Sequence, residues 1–231
     1  MVKKNIWTIV LLGLLLLFTF IYDDYSGVPD NLMRESLIKL MIDHAKIVGV
    51  SSLIAIFLGI ALGTFVYIID DKEMTKFILD LGRFGDTFPT VALLAILVPF
   101  LGFGSSPVII SLIVYGILPV LKSTVVGFEQ VDKSVIESAI GMGFSRINLV
   151  FKILFPLSKL VILSGIRITI ILGIAIATVG AAVGSGGLGV PIVDGIRLFN
   201  LQLVLRGAIP VSLLAFIVQS FINSFDNDLT T

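Results

Sequence analysis

The sequence predicts an all-α, polytopic membrane bundle of about six transmembrane helices, and three observations lead there. Of its 231 residues, 57% are hydrophobic and only 14% are charged, with a mean hydropathy of +1.11, whereas soluble domains carry roughly 25% charge. Five runs lack Lys, Arg, Asp and Glu altogether: residues 5–22, 47–69, 87–121, 168–193 and 207–225. Clusters of glycine and proline divide what is too long for one crossing. A soluble core of this length could not hide so much apolar side chain, whereas spans of about 20 residues place it in lipid.

The first run, 5–22, follows Lys3 and Lys4 and precedes the polar segment 23–29, a pattern a cleaved signal peptide would share. Its last residues are Phe20, Ile21 and Tyr22, which offer no small-x-small cleavage site, so an uncleaved anchor is expected. Residues 31–46 set Leu32, Ile38, Met41 and Ile42 among charges, which predicts a short amphipathic helix at the interface leading into the second span, 47–69. The run 87–121 holds Gly102, Phe103, Gly104, Ser105, Ser106 and Pro107 at its middle and is expected to divide into two antiparallel helices. The run 168–193 starts earlier, near Pro156, interrupted only by Arg167. Residues 207–225 make the sixth span.

Basic residues set the expected orientation. With a cytoplasmic N-terminus, the inside segments hold ten: Lys3, Lys4, Lys72, Lys76, Arg83, Lys122, Lys133, Arg146, Lys152 and Lys159. The outside segments hold five, Arg34, Lys39, Lys46, Arg197 and Arg206. The excess predicts that both termini are cytoplasmic.

Composition also excludes functions. Sixteen basic and sixteen acidic residues balance, which removes the footprint of a nucleic-acid binder. There is no Cys, and the single His, His44, lies outside every apolar run, so intramembrane thiolate or histidine chemistry, metal sites included, is not expected. The spans contain no Asp or Glu, which argues against an ion-driven carrier.

Within the spans, Gly59/Gly63 and Gly180/Gly184, with Gly173 and Ala177 continuing the second row, lie four apart. Such rows read as close packing within one bundle or as faces that slide during transport. Pro99 and Pro119 each remove a backbone hydrogen bond and kink their helices. Gly184-Ser185-Gly186-Gly187-Leu188-Gly189 matches the letters of a dinucleotide fingerprint. It follows an apolar helix rather than a strand, and no acidic residue stands about 20 positions on, so that reading is rejected. Nor is it a nucleophile elbow, because Val183 stands where Gly is needed. It reads as backbone at the outer end of the fifth span, where the helix must break before Pro191, with an external gate or substrate path as its functional alternative. Arg167 lies about 16 Å along its helix from Pro156, and an intramembrane charge is a candidate for a structural contact or a transport role. Thr169, Thr178, Tyr115 and Gln219 are candidates for polar lining or for helix–helix hydrogen bonds.

The most informative segment is 131–156. Ser134-Val135-Ile136-Glu137 fits a capping box, Gly143 can end the helix it starts, Ser145 can cap a second, and Pro156 fits the first turn of the next span. Two short helices at a bend are therefore expected. Glu137-Ser138-Ala139, three residues, Gly143, nine residues, then Ile153-Leu154-Phe155-Pro156 is similar to the Glu-Ala-Ala, x3, Gly, x9, Ile-x-Leu-Pro signature of permease subunits in binding-protein-dependent ABC importers. Ser replaces the first Ala and Phe the Leu, both mild departures. The resemblance extends over about 45–229, so 1–45 is read as an added N-terminal anchor with an extracytoplasmic segment, and 46–231 as the permease core with its coupling loop at 131–156.

Within that family, the stretch from Tyr115-Gly116-Ile117-Leu118-Pro119 through Gly127, Glu129, Val131 and Asp132 to Gly141-Met142-Gly143 resembles the osmoprotectant branch. Its members import glycine betaine, carnitine, choline or related compounds; the glycine motif at 184–189 also resembles methionine-type permeases. The resemblance implies a cell-membrane location and alternating access driven by a cytoplasmic ATPase dimer. It further implies a second permease subunit and an extracytoplasmic substrate-binding protein. The chain has no phosphate-binding P-loop, so ATP and Mg would be bound by the partner ATPase, and this chain is expected to hold no cofactor and not to be an enzyme. Glu137, Ser138, Ala139, Gly143, Ile153 and Pro156 are the implied ATPase-coupling residues, with Ser138 and Ala139 small enough for close approach. Arg167, Gly184, Gly186, Gly187 and Gly189 are candidates for a gate or pathway. An amino-acid permease and a structural or assembly membrane protein are the alternatives.

Overall fold

A computed structural model describes residues 6–25, 35–69 and 71–229, and these form helices with no strand among them. The helices are α1 Ile6–Tyr25, α2 Leu37–Ile69, α3 Lys72–Thr87, α4 Thr90–Leu101, α5 Ser105–Glu129, α6 Lys133–Gly141, α7 Arg146–Leu149, α8 Phe155–Gly180, α9 Gly189–Arg197 and α10 Leu201–Leu229. Among the described residues, four stretches are long and apolar enough to cross a membrane: Leu37–Ile69, Ser105–Glu129, Arg146–Val183 and Leu201–Ser224. Thr8–Thr19 and Thr90–Leu101 are shorter apolar helices. The chain divides into two compact units. One comprises Met1–Ser51, Thr90–Leu112 and Ile171–Thr231; the other comprises Ser52–Pro89 and Ile113–Ile170.

In the second unit, glycine sets both spacing and direction. A Cβ added at Gly116 would lie 2.8 Å from that of Ala55, one at Gly59 2.7 Å from that of Val120, and one at Gly63 2.7 Å from that of Thr124. The paired residue numbers rise together, so α2 and α5 are parallel, and the chain must return between them through α3 and α4. On the other side of α5 the order reverses. Gly127 meets Ser158, Gly165 meets the Pro119 carbonyl oxygen at 2.6 Å, and Gly116 meets Thr169, so α5 and α8 are antiparallel. Two hydroxyls close this seam: Ser158 Oγ donates to the Gly127 carbonyl at 2.6 Å and Thr169 Oγ1 to the Gly116 carbonyl at 2.7 Å. Small residues that admit a neighbouring backbone, joined by hydroxyl-to-carbonyl bonds, are the usual adhesive of helices in lipid. The glycine row at 59 and 63 is therefore packing.

The α3 helix was not resolved from the sequence. Asp71 caps it, accepting the Glu73 amide at 2.9 Å, and Ile78 and Leu79 pack on Val66, Leu118, Leu121 and Val125. Pro89 disfavours helical geometry at Phe88 and so separates α3 from α4. The Tyr115 hydroxyl donates to the Phe88 carbonyl at 2.5 Å, fixing that joint to α5.

In the first unit, Leu37, Leu40 and Leu188 form a buried cluster against Phe18, Met41, Val190, Val211 and Leu214, while the Thr8 and Ser220 hydroxyls share a 2.8 Å hydrogen bond. Three sequence expectations change here. The separate amphipathic helix is absent among the described residues: α2 starts at Leu37 and runs unbroken to Ile69, because Leu37, Leu40, His44, Ile47, Val48 and Ser51 continue one buried stripe at helical spacing. Leu32 and the rest of 26–34 lie outside the described residues. The fifth span breaks at the glycine motif as expected, ending at Gly180 with a 3-10 turn to Val183, but a helix that the sequence did not separate, α9, then starts at Gly189. The last span begins at Leu201 instead of Gly207, since Arg206, taken as a boundary charge, sits inside α10 at 3% exposure with its Nη2 donating to the Glu35 carbonyl at 2.7 Å. The division of 87–121 falls where expected, between Leu101 and Ser105.

Candidate functional site

The loop between α5 and α8 is a capped two-helix tip. Its first helix, α6, begins at Lys133, two residues after Val131, and the cap is Asp132. The Asp132 carboxylate accepts the Ser134 amide at 2.8 Å, and that amide, with the Ser134 hydroxyl, holds its pKa below the ordinary carboxylate value. The expected capping box is thus corrected: Ser134 already lies inside the helix, so Glu137 is not its reciprocal partner. A carboxylate is the stronger acceptor, and it stands two residues upstream. Glu137 is exposed and has no hydrogen bond or ion pair among the described residues.

Gly143 ends α6 as expected, with φ +85°. The Gly143 amide donates to the Ile140 carbonyl at 2.9 Å and the Phe144 amide to that of Ala139 at 3.1 Å, which is the bonding of a Schellman motif with glycine in the left-handed position. Ser145 caps α7, accepting the Asn148 amide at 3.3 Å. From there the expected bend gives way to continuity, because a π turn at Val150–Leu154 carries α7 into α8. Pro156 lacks an amide proton and its ring would clash with the carbonyl four residues back; widening the preceding turn accommodates both.

The tip is anchored from below. Ala139 is fully buried with Phe128, Leu149, Val150 and Leu154, and Ile136, Phe144 and Ile153 pack around them. Phe128 meets Tyr67 and Phe155 edge-on, with centroids 5.4 and 5.1 Å apart, and Arg146 Nη1 donates to the Ile68 carbonyl at 3.0 Å. Ala139 and Ile153 therefore hold the tip to its own body; the small size of Ala139 serves that internal contact, which corrects its expected place at a partner's surface. The residues that face outward include Glu137 and Ser138 and apolar side chains the sequence reading missed, among them Ile140, Met142 and Ile147, which are 57%, 71% and 59% exposed. Pro156 is exposed beside the π turn.

The glycine motif at 184–189 lies in the first unit and splits into two kinds of residue. Gly184 repeats the Schellman ending, with φ +82°, its own amide donating to the Ala181 carbonyl and the Ser185 amide to that of Gly180. Gly184 and Gly186 border a cleft of about 510 Å³, and a Cβ at Gly186 would meet nothing within 4 Å. By contrast, a Cβ at Gly187 would lie 3.1 Å from His44 Nδ1, and one at Gly189 would lie 2.7 Å from the Ala181 Cβ. Arg167 is half-buried in α8, belongs to the second unit and does not line this cleft. Thr169 and Tyr115 make the interhelical bonds described above, and Thr178 bonds the Ile174 carbonyl of its own helix at 2.8 Å. Gln219 lies 3.5 Å from Asn223 on α10. None of these four lines the cleft. Among the described residues no three His, Cys, Asp or Glu converge to hold a metal.

Residues 55–231 match the family of binding-protein-dependent transport system inner membrane components. The chain is 39% identical over 181 residues to the carnitine transport permease protein OpuCB of Listeria monocytogenes, covering 78% of this chain and 83% of that protein. It is 34% identical over 181 residues, with the same two coverages, to the choline transport system permease protein OpuBB of Bacillus subtilis (strain 168). It is 31% identical over 180 residues to the ergothioneine transport permease/ergothioneine binding protein EgtU of Helicobacter pylori (strain G27), covering 78% of this chain and 32% of that one. A chain of the MetNI methionine ABC transporter in an inward-facing conformation superimposes with a TM-score of 0.79, covering 86% of this chain and 98% of its own at 19% identity, which shows a shared fold. With a multi-helix membrane architecture, a capped tip at 131–156 and a family match over most of its length, the chain belongs to the inner membrane components of binding-protein-dependent transport systems and is a permease subunit of an ABC importer.

Proposed function

We propose that this permease imports osmoprotectants that carry a trimethylammonium group, and that it does so by alternating access driven by a partner ATPase. The relatives' named solutes, carnitine, choline and ergothioneine, all carry that group, and this shared chemistry is the observation behind the substrate class. The partner ATPase, a dimer that binds ATP and Mg, seats on the 131–156 tip. Support comes from the exposed Ile140, Met142 and Ile147 and from Glu137, whose carboxylate is left for a basic group on a partner. Because α6 is capped at both ends and rooted in a buried cluster, force applied at the tip is carried into α5 and α8. A second permease subunit and an extracytoplasmic binding protein complete the assembly. Both termini face the cytoplasm, on the ten-to-five distribution of basic residues. Residues 1–45 form an added anchor and 46–231 the permease core.

The test is ATP-dependent uptake of labelled glycine betaine, carnitine, choline and methionine into vesicles holding the complete complex. Uptake of one or more of the first three is expected; methionine uptake with none of them would reverse the substrate assignment.

A further inference from the structure

The cleft beside Gly184 and Gly186 is lined by charged side chains of both signs. Two carboxylates, Glu35 and Asp194, and two guanidinium groups, Arg197 and Arg206, line it beside the ring of Phe103. These formal charges cancel, so the cleft draws neither anions nor cations as a class, but it offers opposite charges to a ligand that carries both. Two of the four are already committed. Arg206 is buried and holds the Glu35 carbonyl, while the Glu35 carboxylate binds Lys39 Nζ at 2.5 Å. The other two are available: Asp194 and Arg197 sit three residues apart on α9, and no ion pair joins them among the described residues. The volume, about 510 Å³, lies within the range of small-molecule sites. Gly184 and Gly186, also in its lining, contribute no side chain to fill it.

We propose that this cleft is a binding site for a small zwitterion, with the carboxylate of the ligand at Arg197 and its cationic nitrogen between Asp194 and Phe103. A guanidinium matches a carboxylate fork, and a quaternary nitrogen, having no proton to donate, is held by charge and by an aromatic face. The choice of glycine betaine as probe rests on the osmoprotectant reading; the site itself does not.

The chain has no Cys, and Ala182 is an exposed residue of the cleft wall, so Ala182→Cys reports occupancy by its rate of maleimide labelling. The permease–ATPase complex is placed in nanodiscs without the binding protein, and uptake by the complete wild-type complex is measured in parallel. Glycine betaine should slow labelling roughly threefold at twice its dissociation constant. Choline, which lacks the carboxylate, should protect far less. Adding Asp194→Asn or Arg197→Gln should abolish protection while leaving the unprotected labelling rate and the elution volume of the complex unchanged. If the complex imports glycine betaine yet betaine leaves the labelling rate unaltered, the cleft proposal is wrong and the transport reading stands. Equal protection by choline would also overturn it. If the complex imports only methionine and methionine protects in an Asp194-dependent way, the osmoprotectant reading falls and the zwitterion site stands.

Discussion

Glycine does opposite things along α8 and its continuation, and the contrast sets the α5–α8 seam apart from the edge of the cleft. At Gly165, and at Gly116 and Gly127 facing α8, the missing side chain is space taken by a neighbour: a carbonyl, a threonine methyl, a serine Cβ. At Gly186 it leaves room unfilled, at Gly184 it leaves space for no more than ordinary contact with Gly104 and Phe103, and both permit left-handed backbone. The first kind makes a seam whose geometry is fixed by contact; the second makes a cleft edge whose geometry is fixed by φ. Sequence spacing cannot separate them, since both occur in rows of small residues.

The contrast breaks most visibly at the seam. Gly165→Val would drive a side chain into the Pro119 carbonyl, backbone that cannot rotate away, and overpacking of this kind costs about 1 to 3 kcal/mol or more. A lower unfolding temperature in detergent, or loss of the monodisperse complex, is expected. Gly186→Ala meets open space, so its cost is only the backbone strain of an L residue at φ +81°, about 1 kcal/mol, and the complex should still assemble. Intact stability in the Gly165 variant would mean that α5 and α8 are not packed as described.

At the tip, the outward residues do not hold the fold. Replacing both Ile140 and Met142 by Asp should abolish ATPase co-purification and leave the thermal stability of the permease within about 0.5 kcal/mol, as for exposed sites generally. Gly143→Val forces a β-branched residue to φ +85°, costing about 1 to 2 kcal/mol. The spans should still insert, and substrate-stimulated ATP hydrolysis should fall.

A smaller, stabilising effect is expected in the first unit. The α9 ending has the same Schellman bonds as those at Gly143 and Gly184, with the Asn200 amide donating to the Gly195 carbonyl at 2.8 Å and the Phe199 amide to that of Ile196 at 3.3 Å, yet Phe199 holds the left-handed position at φ +53° and is 98% exposed. Phe199→Gly relieves about 1 kcal/mol of strain, and should raise the unfolding midpoint by about 2 to 4 °C. The smallest effect is at Asp132. Because its carboxyl is depressed in the folded tip, the cap is complete above the unfolded carboxyl pKa of about 3.9, and is lost as pH falls through the folded value. At neutral pH, Asp132→Ala should loosen α6, read as faster amide exchange at Ser134, while Asp132→Asn should retain most of the cap.

Much of this architecture is legible in the primary structure, for reasons that differ by residue. Gly143 and Ser145 could be placed because a left-handed C′ position and a serine N-cap each depend on one local residue. The cut at 102–104 was legible because glycines at φ +77° and +126° end a helix whatever surrounds them. Asp132 was missed because the capping-box pattern at 134–137 looked complete, and only the three-dimensional start of α6 shows which acceptor reaches the Ser134 amide. Arg206 misled for the reverse reason, since a carbonyl 171 residues away makes its burial tolerable. The inward face of Ala139 and the outward faces of Ile140 and Met142 depend on packing against Leu149 and Leu154, which no motif encodes.

The proposed role of the 131–156 tip as the cytoplasmic seat of the ATPase is tested most directly by Met142→Cys. In the Cys-free chain, this single thiol should resist a membrane-impermeant maleimide applied to intact cells. In inside-out vesicles it should react, and bound ATPase should block that reaction. Labelling from outside intact cells, or labelling in inside-out vesicles that saturating ATPase leaves unchanged, would contradict that role.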